Sequence, residues 1–197
     1  MSIDIHKAFD SIEHEAIRNT LEFYNVPKEG IERIMNLYTD NKFVISTMEG
    51  NSEEKPATRG VRQGDALSPL LFIMVINHAI DTADKAEQGY KFWNNLELVV
   101  SIIAYVDDIL LLANSKEELE KMAKNLMEEL RKVGLRPNLK KTEYFNNNNT
   151  EKILVDDSYI DATSEAVRYL GVWLTPDLNW NKSLRLARDS YVRKVTR

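Results

Sequence analysis

Asp107 and Asp108 stand side by side in Tyr105-Val106-Asp107-Asp108, a short break between two apolar runs, Leu98 to Ala104 and Ile109 to Ala113. The pattern reads as a hairpin of buried strands with two carboxylates at its tip. Adjacent negative charges at the edge of a buried sheet repel each other, and two divalent cations would relieve the repulsion. Oxygen donors of this kind suit Mg²⁺, whose octahedral shell carboxylates and phosphates can fill. The plain alternative is an exposed turn, for which aspartate is an ordinary residue. The chain holds its own control: Ile153-Leu154-Val155-Asp156-Asp157-Ser158-Tyr159-Ile160 also sets an aspartate pair among apolar residues. Its flanks are short and mixed, so that pair reads as a surface turn. The candidate for a third metal ligand is Asp4 in Ile3-Asp4-Ile5, a strand stub with no helix to cap. Asp10, three residues before Glu13 at a helix start, reads instead as an N-cap.

These residues need elements to hold them. Apolar spacing predicts helices over Glu13 to Tyr24 and Lys28 to Tyr38, then a strand over Phe43 to Met48. A break at Gly50-Asn51 leads through a second short strand into the loop from Arg59 to Gly64. Ser68-Pro69 supplies an N-cap and a first-turn proline for an apolar helix running to about Lys85. Ser115 with Glu118 forms a capping box for a helix to about Val133, where Gly134 stops it and Pro137 prevents its continuation. Residues 146–149 read as a polar loop and Val167 to Leu174 as another strand before a basic final helix. Mixed helices and antiparallel strands predict an α+β fold, with helices packed on one face of the sheet and the other face free for a ligand.

Composition narrows the chemistry. With 197 residues, 43% of them hydrophobic, the chain can bury one good core, and a single domain is the default. Absence of cysteine excludes disulfides and thiolate metal sites, and three histidines leave carboxylates as the main ligands. No apolar run is long enough to span a membrane and no basic-then-apolar leader follows Met1, so a soluble, intracellular protein without a membrane partner is expected. The net charge of −5 means that any contact with a polyanion must be local. Arg185, Arg188, Arg193, Lys194 and Arg197 thicken the positive charge at the end, either as a groove-lining helix or as a solvated face.

Three segments resemble reverse-transcriptase motifs A, B and C in order: Asp4-Ile5-His6-Lys7-Ala8-Phe9-Asp10, the run from Arg59 to Pro69 (RGVRQGDALSP), and Ala104-Tyr105-Val106-Asp107-Asp108. Leu135 to Tyr144, with Asn138 and Lys141, looks like motif D, and Tyr169-Leu170-Gly171-Val172 looks like motif E. The resemblance covers Asp4 to about Leu174. Its second and fourth segments most resemble non-LTR retrotransposon enzymes, with group II intron enzymes as near neighbours. Val106 stands where non-LTR members more often carry Ala.

The resemblance implies a polymerase palm over residues 1–178 and the start of a truncated thumb or connecting helix over 179–197. Fingers would be absent and the first strand clipped, since Met1 lies three residues before Asp4. It implies RNA-directed DNA synthesis on an RNA template from a DNA primer and deoxynucleoside triphosphates. Asp4 and Asp107 become direct ligands of two Mg²⁺ ions, replaceable by Mn²⁺, and Asp108 a supporting one. Phe9 takes the steric-gate position under the sugar, or serves as an anchor for the following helix, or both. Gln63 and Gly64 would meet the nucleotide or template. Lys141 would protonate pyrophosphate, although Lys140 is adjacent and a lysine pair in a loop is commonly just solvated. Leu170 and Gly171 would form part of the primer grip, unless they mark a generic edge strand. The competing reading is a catalytically incompetent fragment or remnant that at most binds nucleic acid or a partner. A viral RNA-dependent RNA polymerase is a weaker third, opposed by the motif B wording and by YVDD in place of GDD.

Overall fold

A computed structural model of the chain describes residues 1–48, 50–84, 89–92, 98–146, 151–163, 166–175 and 179–195. In chain order the elements are β1 (Ser2–Asp4), α1 (Ala8–Ser11), α2 (His14–Phe23), α3 (Lys28–Asn36), β2 (Lys42–Phe43), β3 (Ser46–Thr47), β4 (Gly50–Asn51), β5 (Lys55–Pro56), α4 (Ser68–Ala83) and β6 (Tyr90–Phe92). They continue with β7 (Leu98–Val100), β8 (Ile102–Tyr105), β9 (Asp108–Leu111), α5 (Lys116–Lys132), β10 (Ile153–Val155), β11 (Ser158–Ile160), β12 (Val167–Tyr169), β13 (Val172–Leu174) and α6 (Trp180–Val195). The result is the expected α+β fold, a small antiparallel sheet with helices packed against it. The chain divides into two compact units. The first holds Met1–Ile5, Ala83–Met127 and Pro137–Arg197; the second holds His6–Thr82 and Glu128–Arg136.

In the first unit the central sheet has the order β1-β9-β8, all antiparallel. Ile3, Ile109 and Leu111 are essentially inaccessible, and each such side chain contributes roughly 1.5–3 kcal/mol of hydrophobic stabilisation. The second edge of β1 is occupied by the segment after Pro137, through the bridges Ile5 to Pro137 and Ser2 to Glu143. On α5, Leu119, Met122, Ala123, Leu126 and Met127 recur at helical spacing and are buried. The capping box expected at its start forms. Ser115 Oγ accepts from Glu118 N–H at 3.2 Å, while the Glu118 carboxylate accepts from the N–H groups of Asn114 and Gly89.

In the second unit α2 and α3 pack together, with Ile17, Leu21, Ile31 and Met35 buried between exposed polar residues. The end of α5 falls here as predicted. Leu135 N–H reaches Leu130 O at 2.9 Å and Gly134 N–H reaches Arg131 O at 3.1 Å, the Schellman pattern of a helix stop.

Several expectations change. The single strand over Phe43 to Met48 is two, because β2 pairs with β5 while β3 pairs with β4, and Gly50-Asn51 is itself a strand rather than a break. The run Leu98 to Ala104 also divides: β7 pairs with β6, and the hairpin carrying Asp107 and Asp108 begins at Ile102. That hairpin is buried on one arm only, since Ile109 to Leu111 are buried but Ile103 and Tyr105 are exposed on the edge strand. Val167 to Leu174 is a hairpin, turned by Leu170-Gly171 at positive φ. Ser68 is the first residue of α4 rather than its cap; the Asp65 carboxylate turns the chain in by accepting from Leu67 N–H at 2.9 Å. Asp10 caps nothing, because it lies inside α1, and α2 is preceded by Glu13 without a side-chain cap. Lys85 at the end of α4, positions 147–149 of the polar loop, Arg197 and the boundary after residue 178 lie outside the described residues.

Candidate active site

Strand register brings the acidic residues of the first unit together. Asp4 ends β1 and Asp108 begins β9, and the two are paired directly across the ladder, one step beyond Ile3 opposite Ile109. Opposite residues of an antiparallel pair put their side chains on the same face, about 4.5–5.5 Å apart at Cβ. Ile3 and Ile109 are buried, whereas Asp4 is half-buried and Asp108 exposed at the end of the sheet. Asp107 occupies the two-residue turn closed by Tyr105 opposite Asp108. The other turn residue, Val106, has φ of 57°, a region that a β-branched side chain strongly disfavours. The second aspartate pair differs as expected. Asp156 and Asp157 both take positive φ in the turn between β10 and β11, and Asp157 is exposed.

Like charges directly opposite each other are unfavourable, and the electrostatics of the site register it. Partial desolvation pushes the Asp108 carboxyl above its ordinary value, and the charges of Asp107 and then Asp4 push it further. The Lys141 ammonium lies 3.4 Å from Asp4 Oδ1. Its segment is fixed beside β1, where Asn138 N–H donates to Asp4 O at 2.7 Å and Lys141 N–H closes a turn on Asn138 O at 2.9 Å. Of the two adjacent lysines, Lys141 is thus the one that reaches the carboxylates.

Tyr169 opens the motif E-like segment, where the sequence assigns it no role of its own, and its buried ring sends a hydroxyl to Ile103 O on β8 at 3.3 Å. Burial first, and the nearby Asp108 charge second, raise its pKa. The hairpin turned by Leu170 and Gly171 is thereby fastened to β8, the strand that leads into the turn holding Asp107. Leu170 is half exposed, and space beyond Gly171 is open.

The second unit assembles Phe9, Gln63 and Gly64. The Phe9 ring stacks on Phe72 of α4 at 4.6 Å between centroids and 7° between planes. Phe72 is fully buried, so the pair is rigid on one side. The loop carrying Gln63 is stitched to α1, with Val61 N–H bonded to Phe9 O at 2.8 Å and Gly60 N–H to Ile12 O at 2.7 Å. Gln63 Nε2 donates to Asp10 Oδ1 at 3.2 Å. Gly64 has φ of 88° and open space where a side chain would stand. Phe72 carries no mark in the sequence that separates it from the other apolar residues of α4; only the fold selects it.

Among the described residues, no group of three or more histidine, aspartate or glutamate side chains converges closely enough to hold a metal ion. Asp4, Asp107 and Asp108 share one end of the sheet without closing into a cage. No helix among the described residues is long and apolar enough to cross a membrane.

A family model described as reverse transcriptase (RNA-dependent DNA polymerase) matches residues 1–174. Over 140 residues the chain is 34% identical to the Retrovirus-related Pol polyprotein from type-2 retrotransposable element R2DM of Drosophila melanogaster, covering 71% of this chain and 13% of that one. A second Pol polyprotein, from the type-1 retrotransposable element R2 of Nasonia vitripennis, is 32% identical over 133 residues, 68% of this chain and 13% of that one. The chain therefore spans 13% of the length of either relative. Among solved structures, apo telomerase from Candida tropicalis matches 90% of this chain and 31% of its own, with a TM-score of 0.59 at 15% identity, a likeness of fold alone.

Proposed function

We propose, from the premise that this chain belongs to the reverse transcriptase (RNA-dependent DNA polymerase) family, that it is the palm of an RNA-directed DNA polymerase adding deoxynucleotides to a DNA primer on an RNA template. The observation that carries this reading is the register placing Asp4 opposite Asp108, with Asp107 in the adjoining turn. Three oxygen-donor side chains at one sheet end suit Mg²⁺ or Mn²⁺ by chemistry. Asp4 and Asp107 would be the direct ligands and Asp108 the supporting one. Bound there, a pair of such ions would activate the primer 3′-hydroxyl and neutralise charge on the departing pyrophosphate.

The remaining steps fall to the chain's own groups. Lys141 holds a proton beside Asp4 and can pass it to the leaving pyrophosphate. Phe9, immobilised by Phe72, places a flat ring where a ribose 2′-hydroxyl would clash, favouring deoxynucleotides. Gln63 offers its amide to the nucleotide or template, and Gly64 leaves the backbone open beside it. Leu170 and Gly171 hold the primer end. Residues 1–178 make up the palm in this proposal, and 179–197 begin a thumb or connecting helix.

A second reading, a remnant that binds nucleic acid without catalysis, is favoured by the lack of a closed carboxylate cage among the described residues and by Lys141 resting on Asp4. Primer extension on an RNA template with deoxynucleotides and Mg²⁺ separates the two. Extension by the chain that disappears in Asp107→Ala supports the polymerase. Binding of an RNA–DNA hybrid with no extension, even after fingers and thumb sequences are joined to it, supports the remnant.

A further inference from the structure

We infer that Asp10 is a positioning residue that sets the orientation of the Gln63 amide for the sugar of an incoming nucleotide. The inference rests on the polymerase reading for the identity of the ligand, and on the second unit alone for its geometry. Asp10 has no structural task of the kind its sequence position suggests. It caps neither α1, which it lies within, nor α2, and its side chain is exposed. What it does is accept a hydrogen bond from Gln63 Nε2 at 3.2 Å.

That bond has a direction. An ionised carboxylate accepts only, so it must face the NH₂ of the amide and turn Gln63 Oε1 away from itself. Glutamine left alone presents its oxygen and nitrogen interchangeably; glutamine held by Asp10 does not. The two residues cannot drift apart, because the loop is bonded to α1 on both sides of Asp10, through Phe9 O and Ile12 O. At Gly60 a Cβ would lie 2.9 Å from Asp10 O, so loop and helix are in backbone contact there. Asp10 also follows Phe9 directly, and Phe9 is fixed on Phe72. One short helix therefore sets both the ring and the amide. Together the pair presents an acceptor in Oε1, a donor in the second N–H and a further acceptor in the other carboxylate oxygen. A sugar hydroxyl, both donor and acceptor, matches that set.

The test uses the chain with a dideoxy-terminated primer on an RNA template, so that no chemistry occurs, and follows the Gln63 side-chain amide by ¹H–¹⁵N NMR during a deoxynucleotide titration. The Gln63 signals are assigned by their loss in Gln63→Ala. In Asp10→Ala they should shift before nucleotide is added, and half-saturation should need roughly tenfold more nucleotide, the scale of one charge-assisted partner lost. Asp10→Asn, which keeps an acceptor oxygen, should recover most of that loss. Primer extension with an ordinary primer adds a second readout: KM for the nucleotide should rise with kcat nearly unchanged, and Asp10→Ala combined with Gln63→Ala should be no worse than Gln63→Ala alone. Unmoved amide signals, an unchanged half-saturation point, or losses that add in the double variant would each overturn the inference. A chain that shows the nucleotide effect at Gln63 but extends no primer, even after fingers and thumb sequences are joined to it, would sink the polymerase reading while sustaining the role of Asp10.

Discussion

At the scale of single residues, the site is a set of like charges that the fold holds together at a cost. Asp108 faces Asp4 across the ladder and adjoins Asp107, and its carboxyl titrates above the ordinary range because of partial desolvation and those two charges. The sign of the consequence is fixed. A carboxyl whose folded pKa is raised binds its proton more tightly in the folded state, so its contribution to stability is present below the ordinary carboxylate pKa and is lost as pH rises through the raised value. Asp108→Asn removes the charge and with it that loss. Thermal unfolding at pH 4 and pH 7, without divalent metal, should show the variant gaining on the parent at pH 7 and gaining less at pH 4; equal differences at both pH values would mean that Asp108 bears no such strain. Adding Mn²⁺ at pH 7 should stabilise the parent more than the variant, since the cation supplies the missing positive charge. The Lys141 pair with Asp4 supplies only part of it, because an exposed ion pair contributes between about 0 and 1 kcal/mol.

At the scale of elements, what matters is how loops are pinned to the short helices and strands. Gly60 and Gly64 make a natural comparison, with φ of 87° and 88° but different surroundings. Alanine at either site meets the same backbone penalty of about 1–2 kcal/mol. At Gly60 the new Cβ would also press on Asp10 backbone atoms at 2.9–3.0 Å, whereas at Gly64 it would meet nothing. Chemical denaturation should therefore show Gly60→Ala less stable than Gly64→Ala by a further 1 kcal/mol or so, the crowding cost being of the kind that overpacked cores show; equal losses would mean that the loop can lift off α1. The sequence foretold the turn at Asp107 and the α5 stop at Gly134, because each rests on local signals such as turn residues and a helix-stopping glycine. It did not foretell which apolar residues would be covered. Ile103 belongs to an apolar run but lies exposed on an edge strand, as does the adjoining Tyr105, and Leu98 to Val100 pairs elsewhere. Partner choice between strands is a tertiary matter that periodicity does not carry. Phe72 and Tyr169 were hidden for the same reason, each acquiring its role from a contact 63 or 66 residues away in sequence, with Phe9 and with Ile103.

At the scale of the whole molecule, a chain of net charge −5 proposed to hold an RNA–DNA hybrid must do so through local patches. The described residues of α6 offer one. Arg185 and Arg188 are exposed there, interleaved with exposed Trp180, Leu184 and Tyr191, a pairing of cations with apolar and aromatic surface that suits a nucleic-acid backbone and its sugars. The same residues could equally form a solvated face, and salt dependence distinguishes the two physically. Each phosphate neutralised by a side chain releases condensed counterions and adds about 0.9 to the slope of log affinity against log salt. Fluorescence anisotropy of a labelled hybrid between 50 and 200 mM salt should therefore give a slope that falls by up to about 1.8 when Arg185 and Arg188 are both replaced by alanine. Affinity should fall uniformly across hybrid sequences, since phosphate contacts position a duplex without reading it. An unchanged slope would make α6 a solvated helix and move the footprint to basic residues elsewhere in the chain, with Lys140, exposed beside Lys141, as the next to replace.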